Sequence, residues 1–213
     1  HELLKRLIEN KFIDEIIEYV PEINENPHFN ELAKRNIGLE YCRNNNCSHI
    51  LMMDADEFYE PLEFENAKNL LEDRFDFSAC RMYTYFKEPI YKIVPPEKYF
   101  VPFIHKIYDE SKYVLHHPYP VLVDPTRRLS GSYEKFYEFK IKDFAMHHFS
   151  FVRKDIRRKI MNSSAKCNIK NPEAYIDLFT KWKCSDRNFH PVNPKEFQKI
   201  EIVDNIFDIS MNH

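Results

Sequence analysis

The apolar positions of this chain fall into short runs separated by Asn- and Pro-rich stretches. The most apolar run, Ile50-Leu51-Met52-Met53, follows the polar turn Asn44-Asn45-Asn46-Cys47-Ser48-His49. Four apolar residues without alternation predict a strand covered on both faces, as in a parallel sheet. Ahead of it, Leu3, Leu4, Leu7 and Ile8 share one helical face, which predicts an amphipathic helix over 2–10. Asp14 to Val20 reads as a strand closed by Pro21, and residues 21–30 read as a loop. Asn30 can cap a helix reaching Asn44, with Ala33, Ile37 and Tyr41 spaced four apart. Helix, strand, helix, strand is the order of a βαβ unit, so a parallel sheet is expected.

Downstream, Phe64, Ala67, Leu70 and Leu71 place a helix over 62–73, and residues 75–86 read as a strand. The Pro- and Tyr-rich stretch 87–102 reads as a surface loop. Residues 103–108 and 112–116 suggest a hairpin around Asp109-Glu110-Ser111, followed by a loop carrying Asp124-Pro125-Thr126-Arg127-Arg128. A long strand region, 136–151, ends in Met146-His147-His148-Phe149-Ser150, and a basic helix is expected from Arg153 to Lys166. Asn171-Pro172-Glu173 carries a cap, a first-turn Pro and an early acid, predicting a helix to Trp182. Residues 200–209 suit an edge strand. No repeat and no linker interrupts the chain, so residues 1–213 are expected to form a single domain. The fold class these elements imply is α/β: a mixed, mainly parallel central sheet flanked by helices.

The chemistry concentrates where the apolar run ends, in Asp54-Ala55-Asp56-Glu57. In open α/β sheets ligands sit beyond the carboxyl ends of strands. Carboxylates this close raise one another's pKa unless a cation neutralises them. A hard divalent ion, Mn²⁺ or Mg²⁺, accepts such oxygens and reaches phosphate through them. Asp56 is the expected direct ligand, Asp54 touches the metal or the donor, and Glu57 orients the site from behind. An EF-hand loop also opens Asp-x-Asp, but Phe58 and Tyr59 occupy positions that must be a ligand and a Gly. A solvated acidic turn is the plain alternative.

Composition narrows the classes further. The net charge of −3 does not suggest nucleic-acid binding. Only two glycines, Gly38 and Gly131, are present, which excludes both kinds of Gly-rich phosphate loop. Any phosphate must then be held by metal, Arg, Lys or helix N-termini. The five cysteines, Cys42, Cys47, Cys80, Cys167 and Cys184, follow no zinc spacing and read as free thiols of a reducing, cytoplasmic compartment. No apolar run is long enough for a transmembrane segment, so any membrane association would be peripheral. A chain that starts at His1 is compatible with an excised or truncated piece of a longer one. Arg35 on the helix before the acidic turn, and Arg153, Arg157 and Arg158 on the basic helix, offer charge-assisted contacts to an anion, with a solvated basic face as the alternative.

Lys34-Arg35-Asn36-Ile37-Gly38-Leu39, the apolar strand ending Asp54-Ala55-Asp56-Glu57-Phe58, and the later His148-Phe149-Ser150-Phe151-Val152-Arg153-Lys154 together resemble glycosyltransferases of family 2, which have the GT-A fold. The resemblance covers roughly residues 31–165. It implies a GT-A-like, Rossmann-like sheet and transfer of a sugar, with inversion, from a nucleotide-sugar donor, a UDP-sugar first of all. The acceptor would be a glycan, a lipid-linked saccharide or a protein. It implies Mn²⁺ or Mg²⁺ held by Asp54, Asp56 and His148, and a donor contacted by Arg35, Asn36, Asp54, Ala55, Asp56, Arg153 and Arg157. His148 is the ligand, with its neighbour His147 supporting the site beside Glu57, only through this resemblance, and a hydrogen-bonded core His remains open for each. Part of the family's usual nucleotide-binding opening is not recognisable before Asn30.

Inverting transfer needs a carboxylate that takes the acceptor hydroxyl's proton. Asp124, beside Arg127 and Arg128, is the chosen base; Asp143, Asp109 and Glu110 are alternatives, as is a plain turn-forming Asp before Pro125. Three other functions compete. A haloacid-dehalogenase-type phosphatase also places Asp-x-Asp after a strand, but Glu57-Phe58-Tyr59 follows here and no late acidic pair matches. A nucleotidyltransferase needs the Gly-rich loop this chain lacks. A non-catalytic sugar- or metal-binding module is the reading from outside enzymology.

Overall fold

The computed structural model describes residues 2–71, 74–131, 134–162, 171–183 and 199–210. Its organising element is a ten-residue strand, β3 (Phe77–Phe86), which shares each flank between two partners. For the order of elements, α1 (Glu2–Glu9) and α2 (Pro27–Asn44) come first, then β1 (His49–Ile50), β2 (Glu57–Phe58) and α3 (Pro61–Leu71). After β3 follow β4 (Glu88–Val94), β5 (Phe100–Lys106), a 3-10 turn (Pro125–Arg127), β6 (Phe136–Glu138) and β7 (Ala145–Phe151). The last elements are α4 (Arg157–Asn162), α5 (Pro172–Lys181) and β8 (Lys199–Ile202).

One flank of β3 takes β5 along its first half and β4 at its end, both antiparallel. The other takes β6 and then β7, both parallel. β1 extends the sheet beyond β5, β8 beyond β4 and β2 beyond β7, each antiparallel. The eight strands found among the described residues form a mixed, mostly antiparallel sheet curled into a half-barrel with few helices.

This overturns the expected fold class: the chain is not a mainly parallel, Rossmann-like or GT-A-like sheet flanked by helices. Several local readings went astray, among them the hairpin over 103–116, whose second arm makes only a Tyr113–Leu129 bridge, and the basic helix, which starts at Arg157 rather than Arg153. The apolar run is strand only at Ile50; Ile50 and Met52 pack against Leu39 of α2 and Leu51 against the Phe103 cluster, while Met53 is exposed. Coverage of both faces says nothing about direction, however, and β1 runs antiparallel to β5 with Ile50 opposite His105. Residues 14–20 form no strand, so the βαβ unit has no first strand. The stretch 87–102 is not a loop but holds β4 and the start of β5. Its β-branched positions Ile90, Ile93 and Val94 outweigh its prolines, and Pro102 sits beside a register shift between Phe77 and Ala79. Pro is tolerated in sheets at such irregularities.

Helix signals were read more closely. α2 starts at Pro27, capped by the Asn26 side chain, which accepts from His28 N. A Pro at the first helical position is the stronger start signal. Asn30, four residues on, binds Tyr19 Oη and the Glu22 backbone and so ties the N-terminal segment to α2. The long strand region divides into β6 and β7 around a turn at 140–144. The predicted ends of the helices at 73 and 166 lie outside the described residues, as do Cys167 and Cys184.

Two large apolar clusters hold the sheet. α3 buries Ala67 and Leu71 against Cys80, Phe103, Phe144 and Met146. α4 with the preceding Ile156, and α5, bury Ile156, Ile160, Ile176 and Phe179 against Phe86, Phe151 and Trp182. The second cluster sets the rotation of α4 and therefore decides which of its basic residues faces the acidic turn.

Candidate functional site

The acidic turn is held by strand pairing from the other end of the chain. β2 pairs with β7, Glu57 opposite His148 and Phe58 opposite His147, and Phe149 N donates to the Asp56 carbonyl at 2.8 Å. Directly opposed residues in an antiparallel ladder project from the same face. His148 therefore shares the Glu57 side, and its Nε2 lies 3.7 Å from Asp56 Oδ1. His147 takes the other side, where its Nδ1 meets Tyr85 Oη at 2.8 Å and its ring packs on Phe207. Burial pushes both imidazoles down to about 4, in His148 against the opposing pull of Asp56. Both are thus neutral near pH 7.

Glu57 is almost wholly buried, 3% exposed, and is gripped by Arg127, whose Nη1 donates to Oε2 at 3.1 Å and whose Nη2 donates to Oε1. Glu57 Oε2 also accepts from Asp54 N at 3.0 Å. The same Arg127 Nη2 donates to Asp54 Oδ2 at 2.6 Å. Asp54 Oδ1 faces Arg35 Nη2 of α2 at 3.7 Å. Burial works against the Asp54 charge, but Arg127, then Arg35 and Lys34, hold its carboxyl below the usual range. For Glu57 burial prevails over Arg127, and its pKa is raised. Arg127 arrives here because Asp124 caps the 3-10 turn that carries it, with Asp124 Oδ1 accepting from Thr126 N and Thr126 Oγ1, each at 2.7 Å.

Asp56 has its own cations. Arg153 Nη2 donates to Oδ2 at 3.2 Å and is steadied by Nε donating to the Ser150 carbonyl at 2.7 Å. Lys159 Nζ lies 4.0 Å from the same oxygen. The repulsion expected among the three acids is therefore relieved by Arg35, Arg127, Arg153 and Lys159 of this chain.

Of the residues singled out from sequence, Asp54, Asp56, Glu57, Arg35, His148 and Arg153 come together, with Ala55 exposed at the tip of the turn. Asn36 does not join them: its amide donates to the Tyr113 carbonyl and accepts from Tyr113 N, fastening the 113 segment to α2. Arg157 points away and pairs with exposed Glu173 of α5 at 2.7 Å. Asp124 supports the site through its turn. Sequence reasoning missed Arg127 and Lys159. Arg127 gave no signal, because its partners lie about seventy positions earlier. Lys159 could have been found from the phase of Ile156 and Ile160, which turns Arg157 outward.

The chain matches no protein-family model, no curated protein and no solved structure. The resemblance to family 2 glycosyltransferases thus rests on the motif residues alone. Among the described residues, no helix is long and apolar enough to cross a membrane.

As for a metal, no group of three or more His, Cys, Asp or Glu side chains converges among the described residues. Asp54 is engaged by two arginines. What remains is a pair of donors: Asp56 Oδ1, its other oxygen being taken by Arg153, and a neutral imidazole, His148, facing each other across 3.7 Å. Mn²⁺ and Mg²⁺ commonly take only one or two protein ligands and complete their shells with water and substrate phosphate. The donor set fits that mode.

Proposed function

We propose that this chain is a glycosyltransferase that moves a sugar, with inversion, from a nucleotide-sugar donor to a hydroxyl acceptor. A UDP-sugar is the first donor to test, and a glycan, lipid-linked saccharide or protein is the acceptor class. One observation carries the reading: Asp56 and His148 face each other beside the β2–β7 pair, with Arg153 and Lys159 against Asp56 and Arg35 and Arg127 against the neighbouring Asp54. Metal-ligand donors set among cations suit a substrate that is both metal-chelating and anionic, and a sugar diphosphate is such a substrate.

In this reading Asp56 and His148 hold Mn²⁺ or Mg²⁺, which supplies Lewis-acid stabilisation to the departing diphosphate. Arg153, which already donates to Asp56, is the guanidinium that would give the leaving group charge-assisted hydrogen bonds. Arg127 and Glu57 fix the turn, so Asp56 needs no rearrangement when the donor arrives. Asp124 is the base that receives the acceptor hydroxyl's proton, a role it would combine with capping the Arg127 turn. The phosphatase reading fares worse, because Asp54, its required nucleophile, faces an arginine with each oxygen.

The test is a thermal-shift panel of UDP-, GDP-, CMP- and dTDP-sugars with and without Mn²⁺. A ligand at a hundred times its Kd raises stability by about 2.7 kcal/mol. A metal-dependent shift with one nucleotide sugar is expected, and donor turnover then identifies the transferred sugar. A panel without any shift refutes the proposal.

A further inference from the structure

We propose that Lys159 is a phosphate-binding residue of this site, its ammonium contacting the diphosphate beside Arg153. The inference rests on the diphosphate reading of the site and names a contact on α4 that the sequence motif does not contain. Four observations support it.

The first is how α4 is held. Ile156 and Ile160 are both fully buried in the cluster with Phe86, Phe151, Phe179 and Trp182. Ile156 immediately precedes α4, and Ile160 N donates to its carbonyl at 3.0 Å, so the first turn of the helix cannot rotate without withdrawing both. That phase sends Arg157 outward to Glu173 and brings Lys159 to the flank nearest β7. The second is how the stem is guided. Nζ sits 5.6 Å from the centre of the Phe151 ring and donates to Ser150 Oγ, and Ser150 is itself buried.

The third is unused capacity. An ammonium carries three protons. Ser150 takes one, and Asp56 Oδ2 at 4.0 Å lies beyond hydrogen-bonding distance. Arg153 is placed similarly, with Nε on the Ser150 carbonyl and Nη2 on Asp56. Ser150 thus anchors two cations, one through its hydroxyl and one through its carbonyl, and aims both at the same carboxylate oxygen. The fourth is desolvation. Lys159 is three-quarters buried. A cation removed from water with donors unsatisfied gains most from an anion brought to it.

The experiment is calorimetric titration of the full chain with inorganic pyrophosphate and, separately, with UDP and uridine, in EDTA and in Mn²⁺. Lys159→Met should weaken pyrophosphate and UDP at least about tenfold in both conditions, the loss of one hydrogen bond between charged groups. Lys159→Arg should recover most of that affinity, and uridine should bind all three proteins alike. Protection of Lys159 from acetylation by pyrophosphate, read by mass spectrometry on the unaltered protein, gives a measurement that needs no variant to fold. Undiminished pyrophosphate affinity in folded Lys159→Met, or no protection, overturns the inference. If the unaltered protein binds pyrophosphate through Lys159 but no nucleotide, the nucleotide-sugar reading fails and the phosphate contact stands. If it binds UDP and Lys159→Met binds UDP equally well, the contact alone fails. Binding of neither overturns both.

Discussion

Replacing Arg127 with Met removes the only cation within hydrogen-bonding distance of Glu57 among the described residues. Glu57 is 3% exposed and Arg127 7%, so the carboxylate cannot turn to water in its place. It would keep one hydrogen bond, from Asp54 N. Breaking one partner out of a buried pair costs about 3–5 kcal/mol, because the remaining charge is left uncompensated. For a chain of this size that lowers Tm by roughly 10 °C. The pH dependence has a definite sign. Glu57 already has a raised pKa, so the folded state holds its proton more tightly than the unfolded chain, and ionising it costs stability above the unfolded carboxyl range. Without Arg127 that cost grows. Asp54, held low mainly by Arg127 against burial, contributes stability above its unfolded pKa, and the variant loses part of this too. Both effects make the penalty largest at pH 7–8 and shrink it as pH falls through the carboxyl range. Urea unfolding followed by Trp182 fluorescence, in EDTA at pH 5 and pH 8, measures it, and Glu57→Gln combined with Arg127→Met should restore much of the loss. A variant as stable as the parent at pH 8, or a penalty that grows on acidification, refutes the reasoning.

The remaining expectations concern the ligand side. Asp56→Ala should keep the fold and abolish Mn²⁺-dependent donor binding, read as a lost thermal shift; unchanged affinity removes Asp56 from the metal. His148→Ala should weaken Mn²⁺ dependence far more than His147→Ala, whereas His147→Ala should cost stability, about 1–3 kcal/mol, by leaving buried Tyr85 Oη unpartnered. The reverse ranking in metal titrations would exchange their roles. Asp124→Asn retains a capping side chain, so as a base it should lose transfer with Tm nearly unchanged. Near-normal transfer would leave Asp124 as a cap, with Asp124→Ala lowering both stability and activity by loosening Arg127.

The acidic turn was legible because its signal is local: an apolar run followed by clustered carboxylates within a dozen residues. Likewise, α2, α3 and α5 carry their own start signals in Asn26-Pro27, Pro61 and Asn171-Pro172. The sheet's direction was not legible. The same apolar run suits a parallel interior strand and the short antiparallel β1, whose following residues leave the ladder to pack between α2 and the Phe103 cluster. The ladders that decide between these, such as Ile50 with His105, join distant segments, and no periodicity encodes them. Of the site's cations, Arg35 and Arg153 adjoin their motifs and were found. Arg127 was hidden behind a turn whose structural purpose, presenting its third residue, appears only once Glu57 is seen to need a partner.

Every strand that pairs with β3 follows it in the chain, and its parallel neighbour β7 begins almost sixty residues after it ends. Pairings so remote bear a loop-closure entropy before any contact compensates it. During synthesis Asp56 therefore leaves the ribosome long before Phe149, whose backbone N–H fixes its carbonyl. Until then β3 presents an open flank, and the acidic turn is only a charged loop. Assembly of the site should thus be a late folding event, completed only after Lys159 has emerged. Fragments ending before residue 145 would keep that aromatic-rich strand edge exposed and be prone to self-association.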